Sequence, residues 1–224
     1  MKKLKILTYN LGLLRVTVFG YKIFEFTPFI EERFEKILEA FEKCDCDIIS
    51  LQEVYSRKHA VQIKERLAHK YPYWVFYHAN LKWKWSSGLI ILSKHPIPYA
   101  DFHKFQKSTI DEGLFVDKGF LEAEILFGDH KIHVLNTHTT AGGYFYHPEH
   151  KLIDKIREEQ IHQMLRMAHE RPSDLSVFTG DLNAGPKVSK TNFEIFKFYE
   201  YKDVFDLRND LVTWEIENPL NKQS

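Results

Sequence analysis

Asp47-Ile48-Ile49-Ser50-Leu51-Gln52-Glu53 is a short, almost uninterrupted apolar run that ends on a carboxylate. Such a run predicts a strand buried on both faces, inside a fold whose sheets are covered by helices. Upstream, residues 4–9 read as a second strand leading to Asn10, and 11–26, two apolar-aromatic bursts joined at Gly20, read as a loop or hairpin. Thr27 is expected to cap a helix with Pro28 at its first position, and Ile30, Phe34, Ile37, Leu38 and Phe41 share one face of it. Downstream, a helix is expected over 56–70, with Ala60, Ile63 and Leu67 inward. Strands follow at 73–77, 88–93, 99–105 and 120–127, the last with Leu121, Ala123, Ile125 and Phe127 on one side. Gly128-Asp129 has the form of a two-residue hairpin turn into a strand over 131–137, ending at Thr137-His138. A loop rich in Gly and aromatics covers 139–149. A helix over about 150–169 has Ile153, Ile156, Gln160, Met164 and Met167 facing the core and Arg157-Glu158-Glu159 facing solvent. A strand at 175–179 runs into Gly180-Asp181-Leu182-Asn183, and a short helix lies near 191–199. Hairpins mixed with helical crossovers predict an α/β protein with two sheets packed face to face and helices outside.

Composition narrows the function. In 224 residues, 31 Lys+Arg balance 31 Asp+Glu, which excludes a strongly basic nucleic-acid coat and a disordered polyelectrolyte. Hydrophobic residues make up 44%, enough for a substantial core in one domain spanning 1–224. Cys44 and Cys46 are too few for a disulfide framework and read as small, semi-buried residues between a helix and a strand. No apolar run is long enough to span a membrane, and the N-terminus lacks the features of a signal peptide, so a cytoplasmic location is the expectation.

Polar signals stand at the ends of the apolar strands: Asn10, Glu53, His138, and the pair Asp181 and Asn183. Each has an ordinary reading as a turn, loop or semi-core residue, and Asp181 with Asn183 suits an Asx turn. Together they require the same accident on separate strands, whereas rigid strands presenting polar groups at one rim suit a preorganised site. A carboxylate and an amide suit Mg²⁺, which takes oxygen ligands and keeps several waters. Imidazole and amide donors suit a phosphoryl centre under attack. The set fits metal-assisted phosphoester hydrolysis better than zinc chemistry, which favours His and Cys ligands.

Leu7-Thr8-Tyr9-Asn10, Leu51-Gln52-Glu53-Val54, Asn136-Thr137-His138 and Gly180-Asp181-Leu182-Asn183 resemble, in order and spacing, the motifs of the endonuclease/exonuclease/phosphatase superfamily. Ser87-Gly88-Leu89-Ile90-Ile91-Leu92-Ser93-Lys94, Lys118-Gly119-Phe120-Leu121, Thr213-Trp214 and Asn218-Pro219-Leu220-Asn221 resemble its neutral sphingomyelinase-like branch. The resemblance implies a four-layer α/β/β/α sandwich and a Mg²⁺-dependent phosphodiesterase. By motif match, Glu53 is the metal ligand and Asn10 helps hold the site. His138 and Asn183 contact the phosphoryl group, and Asp181 orients the attacking water. The family's C-terminal strand segment with its Asp-His pair does not follow Asn183, so the domain is expected to be incomplete at its C-terminus. General-base help of that kind is worth about 10²–10⁴-fold.

The motifs leave the substrate open. Aromatic residues at 15% favour a phospholipid at a membrane interface, with peripheral membrane contact, or stacked bases. Zero net charge disfavours duplex DNA. Lys118 is expected to bind substrate, as are Tyr144, Phe145 and Tyr146 in the Gly142–Pro148 loop; Trp83-Lys84-Trp85 is a second aromatic cluster. No obligate protein partner is evident. The leading reading is sphingomyelinase-like cleavage of a phospholipid head group. The rivals are a nuclease of the same superfamily and a catalytically disabled lipid- or phosphate-binding module.

Overall fold

The computed structural model describes residues 3–18, 21–25, 27–77, 85–143 and 145–204. Trp83, Lys84, Tyr144 and the 213–221 motifs lie outside the described residues. β1 (Ile6–Asn10) pairs in parallel with β4 (Ile48–Gln52), which pairs antiparallel with β6 (Ile90–Ser93), and that strand with β5 (Tyr73–Phe76). The second sheet has the order β10 (Leu175–Asp181), β9 (His130–His138), β8 (Gly119–Phe127), β7 (Tyr99–Lys104), and its β10–β9 pair is parallel. A small hairpin, β2 (Arg15–Val18) with β3 (Tyr21–Glu25), realises one of the two forms expected for 11–26.

Strand periodicity sorts the side chains into layers. Ile49 and Leu51 pack with Ile90 and Leu92 against α1 (Ile30–Lys43) and α2 (Arg57–Leu67). Ile48 and Ile91 face the other sheet and meet Leu121, Ala123, Ile125, Phe127 and Val134. Phe120 and Leu135 point outward to α4 (Lys151–Glu170) and α5 (Lys190–Phe198), through Ile161, Met164, Leu165 and Phe196. The result is the α/β/β/α sandwich. Gly128-Asp129 forms the expected tight turn, with Phe127 opposite His130.

Four local readings change. α1 starts at Ile30, after a left-handed Phe29, because Arg33 reaches back to the carbonyls of Pro28, Leu11 and Gly12 and holds Pro28 outside the helix. Arg157 is fully buried rather than solvated, whereas Glu158 and Glu159 are exposed. Its guanidinium donates to the carbonyls of Thr140 and Pro148 and bonds Asp154 and Ser189, so the charge is compensated on every side. A six-residue helix, α3 (Ile110–Phe115), stands where no element was expected. Cys44 and Cys46 form a disulfide that closes a local ring between α1 and β4.

Candidate active site

The two parallel pairs put four strand ends at one rim. β1 delivers Asn10, β4 leads into Glu53, β9 delivers His138 and β10 delivers Asp181. Below the rim the inter-sheet layer turns polar. Gln52 donates to Asn136 Oδ1 at 2.7 Å and to Thr8 Oγ1 at 3.1 Å, and Asn136 donates to the carbonyls of Leu51 and Ile90, each at 3.0 Å. These motif residues satisfy each other and the backbone, so they join the sheets and leave the chemistry to their neighbours.

Asn10 ties the rim together. Its amide nitrogen donates to Glu53 Oε1 at 2.8 Å and to Asp181 Oδ2 at 2.9 Å, while its Oδ1 accepts the Gly12 N–H at 3.0 Å. One amide therefore connects carboxylates carried by different sheets. Glu53 has φ 61, a left-handed backbone that re-aims the chain as it leaves the strand. Gly88 allows this, since a Cβ there would collide with the Tyr55 ring. Asn183 also has positive φ, 46, and its N–H bonds Asp181 Oδ1 at 3.0 Å, which is the expected Asx turn. The side-chain amide of Asn183 donates to Thr139 O at 3.0 Å.

His138 is buried, and its Nδ1 has no hydrogen-bond partner among the described residues. Burial and the nearby Lys118 ammonium push its pKa down, against the pull of Asp181 and Glu53. The ring is accordingly neutral at neutral pH. Burial would raise the Asp181 carboxyl, but His138 and the hydrogen bonds from Asn10 and Asn183 outweigh it and hold it low. Lys118 is buried too. Its Nζ donates to His138 O and Thr139 O, each at 3.3 Å, and lies 3.3 Å from Glu112. Glu112 in turn accepts from Thr109 and Thr140. Arg157 lay beyond sequence reasoning because its spacing marks only a helix surface, and Glu112 because no element was expected over 110–115. Phe145 and Tyr146 stay exposed on the loop after β9.

The donor set tests the expected metal. Among the described residues no three His, Cys, Asp or Glu side chains converge as a metal cluster, which argues against a zinc-type cage. Two carboxylates bridged by an amide suit Mg²⁺, which needs only one or two protein carboxylates. Asp129-His130, an Asp-His pair that the chain does contain, occupies the β8–β9 hairpin, at the end of those strands opposite His138. It supplies no base to this rim.

A family model described as the Endonuclease/Exonuclease/phosphatase family matches residues 7–191. A Drosophila melanogaster protein named "Putative neutral sphingomyelinase" is 28% identical over 146 residues, which are 63% of this chain and 32% of that protein. The chain spans about a third of the length of the curated relatives it matches. The sphingomyelinase C of Streptomyces griseocarneus superposes with a TM-score of 0.73 at 22% identity, over 87% of this chain and 70% of that one. A Staphylococcus aureus beta toxin with bound magnesium ions gives 0.74 at 20% identity, over 91% and 72%.

Proposed function

The chain belongs to the endonuclease/exonuclease/phosphatase family, and from that premise we propose that it is a Mg²⁺-dependent phosphodiesterase of the sphingomyelinase-like type. It releases the phosphorylated head group of a sphingomyelin-like lipid. The observation that carries this reading is the Asn10 amide joining Glu53 and Asp181 at a rim that also holds His138 and Asn183. The neutral sphingomyelinase relatives favour the lipid.

Glu53, with Asn10 beside it, would hold Mg²⁺, and the bound ion would offset charge building on the phosphoryl oxygens. The chain's own groups do the rest. His138, its ring neutral, hydrogen-bonds the phosphoryl group. Asn183 meets the same group through its amide. Asp181, ionised and held by two hydrogen bonds, orients the water that attacks phosphorus as the head-group phosphate leaves the lipid oxygen. Phe145 and Tyr146, exposed on the loop after His138, touch the lipid. Among the described residues no helix is long and apolar enough to cross a membrane, so this lipid contact is peripheral.

The test is turnover of sphingomyelin vesicles, a plasmid and a water-soluble aryl phosphodiester, each with Mg²⁺ or EDTA. Mg²⁺-dependent turnover of the vesicles and the aryl ester supports the proposal, and preference for the plasmid moves it to a nuclease. Glu53→Gln should abolish turnover while the protein stays folded. Wild-type turnover in that variant overturns the metal assignment. Vesicle binding with no turnover and no Mg²⁺ requirement makes the chain a lipid-binding module.

A further inference from the structure

α3 is turned inside out. It is six residues long, and none of them is buried. Its acids face the protein. Glu112 is engaged by Thr109, Thr140 and Lys118, and the Asp111 carboxylate lies so close to Gly143 that a Cβ there would collide with it. Its apolar residues face out: Ile110 is 89% exposed, Leu114 50% and Phe115 49%. Water should drive the opposite arrangement, so an apolar outer face this consistent marks a surface that meets something apolar.

Position and charge choose the occupant. The Asp111–Gly143 approach sets α3 against the loop that carries Phe145, itself 72% exposed, and Tyr146. Lys118 connects Glu112 on α3 to the backbone of His138, so α3 sits beside the strand end that delivers His138, with its apolar residues on the outer side. The acids that a phosphate-rich surface would repel, Asp111 and Glu112, are turned away from that outer face. We infer that Ile110, Leu114 and Phe115 enter the head-group boundary of a zwitterionic phospholipid bilayer and bring the rim down onto its substrate. This inference rests on the lipid phosphodiesterase reading above. It adds a second apolar element to the loop after β9.

The experiment is co-sedimentation with vesicles of phosphatidylcholine and sphingomyelin, beside turnover of the water-soluble aryl phosphodiester. Ile110→Ser with Leu114→Ser removes the two outward aliphatic side chains and should weaken vesicle binding roughly 10- to 100-fold. Turnover of the soluble ester should stay at the wild-type rate. Unchanged vesicle binding overturns the inference, as does a wild-type chain that ignores vesicles while hydrolysing the soluble ester. A vesicle-binding difference without any turnover keeps the docking face and removes the hydrolase reading. If the double variant fails to fold, Ile110→Trp takes its place; it should strengthen binding, and no gain overturns the inference. A concentration-dependent dimer that the double variant loses, with vesicle binding unaltered, assigns the face to a second copy and overturns it as well.

Discussion

Glu122 offers the sharpest quantitative test of the packing. It is fully buried in the middle of β8, on the face that α4 covers, and sits far from the strand ends that form the rim. His103 Nε2 lies 2.6 Å from one carboxylate oxygen, and His133 Nε2 lies 2.7 Å from the other, which also accepts from Arg171 Nε at 2.5 Å. A carboxylate has no proton to give, so both imidazoles donate. Burial pushes the Glu122 carboxyl up, but the bonds from His103 and His133 and the charge of Arg171 overcome it and hold the group well below the usual carboxylate range. Glu122→Ala leaves these donors facing a cavity, His133 among them fully buried. Breaking a buried pair in this way costs about 3–5 kcal/mol. A carboxyl depressed on folding contributes stability that is present above its unfolded pKa of about 4.3 and is lost as pH falls from there toward the folded value. Urea unfolding at pH 7 should therefore show a midpoint lowered by about 2 M, taking a slope of about 2 kcal/mol per M. The gap between wild type and Glu122→Gln should be wide at pH 7 and should narrow below pH 4. A variant that unfolds with the wild type at pH 7, or a gap independent of pH, would refute the reasoning.

Asn10→Asp replaces the bridging donor with a third negative charge. It should destabilise by about 2–4 kcal/mol in EDTA and recover part of this with Mg²⁺, read as the shift in melting temperature; a loss indifferent to Mg²⁺ would count against a cation at this rim. Gly180→Ala puts a Cβ onto the Thr137 carbonyl at a φ of 132, and a strain of about 1–3 kcal/mol should appear in a thermal melt together with lost turnover. Arg157→Met strips the ties to Thr140, Pro148 and Ser189 and should cost about 3 kcal/mol, with faster proteolysis of the 141–149 loop; a loop equally resistant to protease would mean that Arg157 does not hold it.

Much of the fold was legible because periodicity reports burial. The run 48–52 is buried at every position, and the β8–β9 hairpin has the register that its Gly-Asp turn sets. The strand-end residues were legible for a related reason: a polar side chain directly after an apolar strand is locally conspicuous. Longer-range effects left no local trace. α3 escaped notice because six residues with Gly113 among them are too short a run to show a helical period. Arg157 carried the signature of a solvated position, and only the carbonyls brought in by the loop after β9 explain its burial. The start of α1 shifted because Arg33, a residue inside the helix, organises the chain that precedes it.

The bond between Asn10 and Asp181 joins residues 171 positions apart. During synthesis at about 5–20 residues per second, Asn10 waits roughly 10–35 s before its second partner leaves the ribosome. Until then the first sheet can assemble with Glu53 already in reach, but the rim still lacks Asp181 and Asn183. Closing so long a loop is entropically costly and comes late, after the sheets have dense packing of their own to offer. On the proposed reading, turnover reports sheet docking. Substitutions such as Ile48→Ala or Val134→Ala, buried between the sheets and remote from phosphorus, should depress activity in proportion to how far they loosen that union.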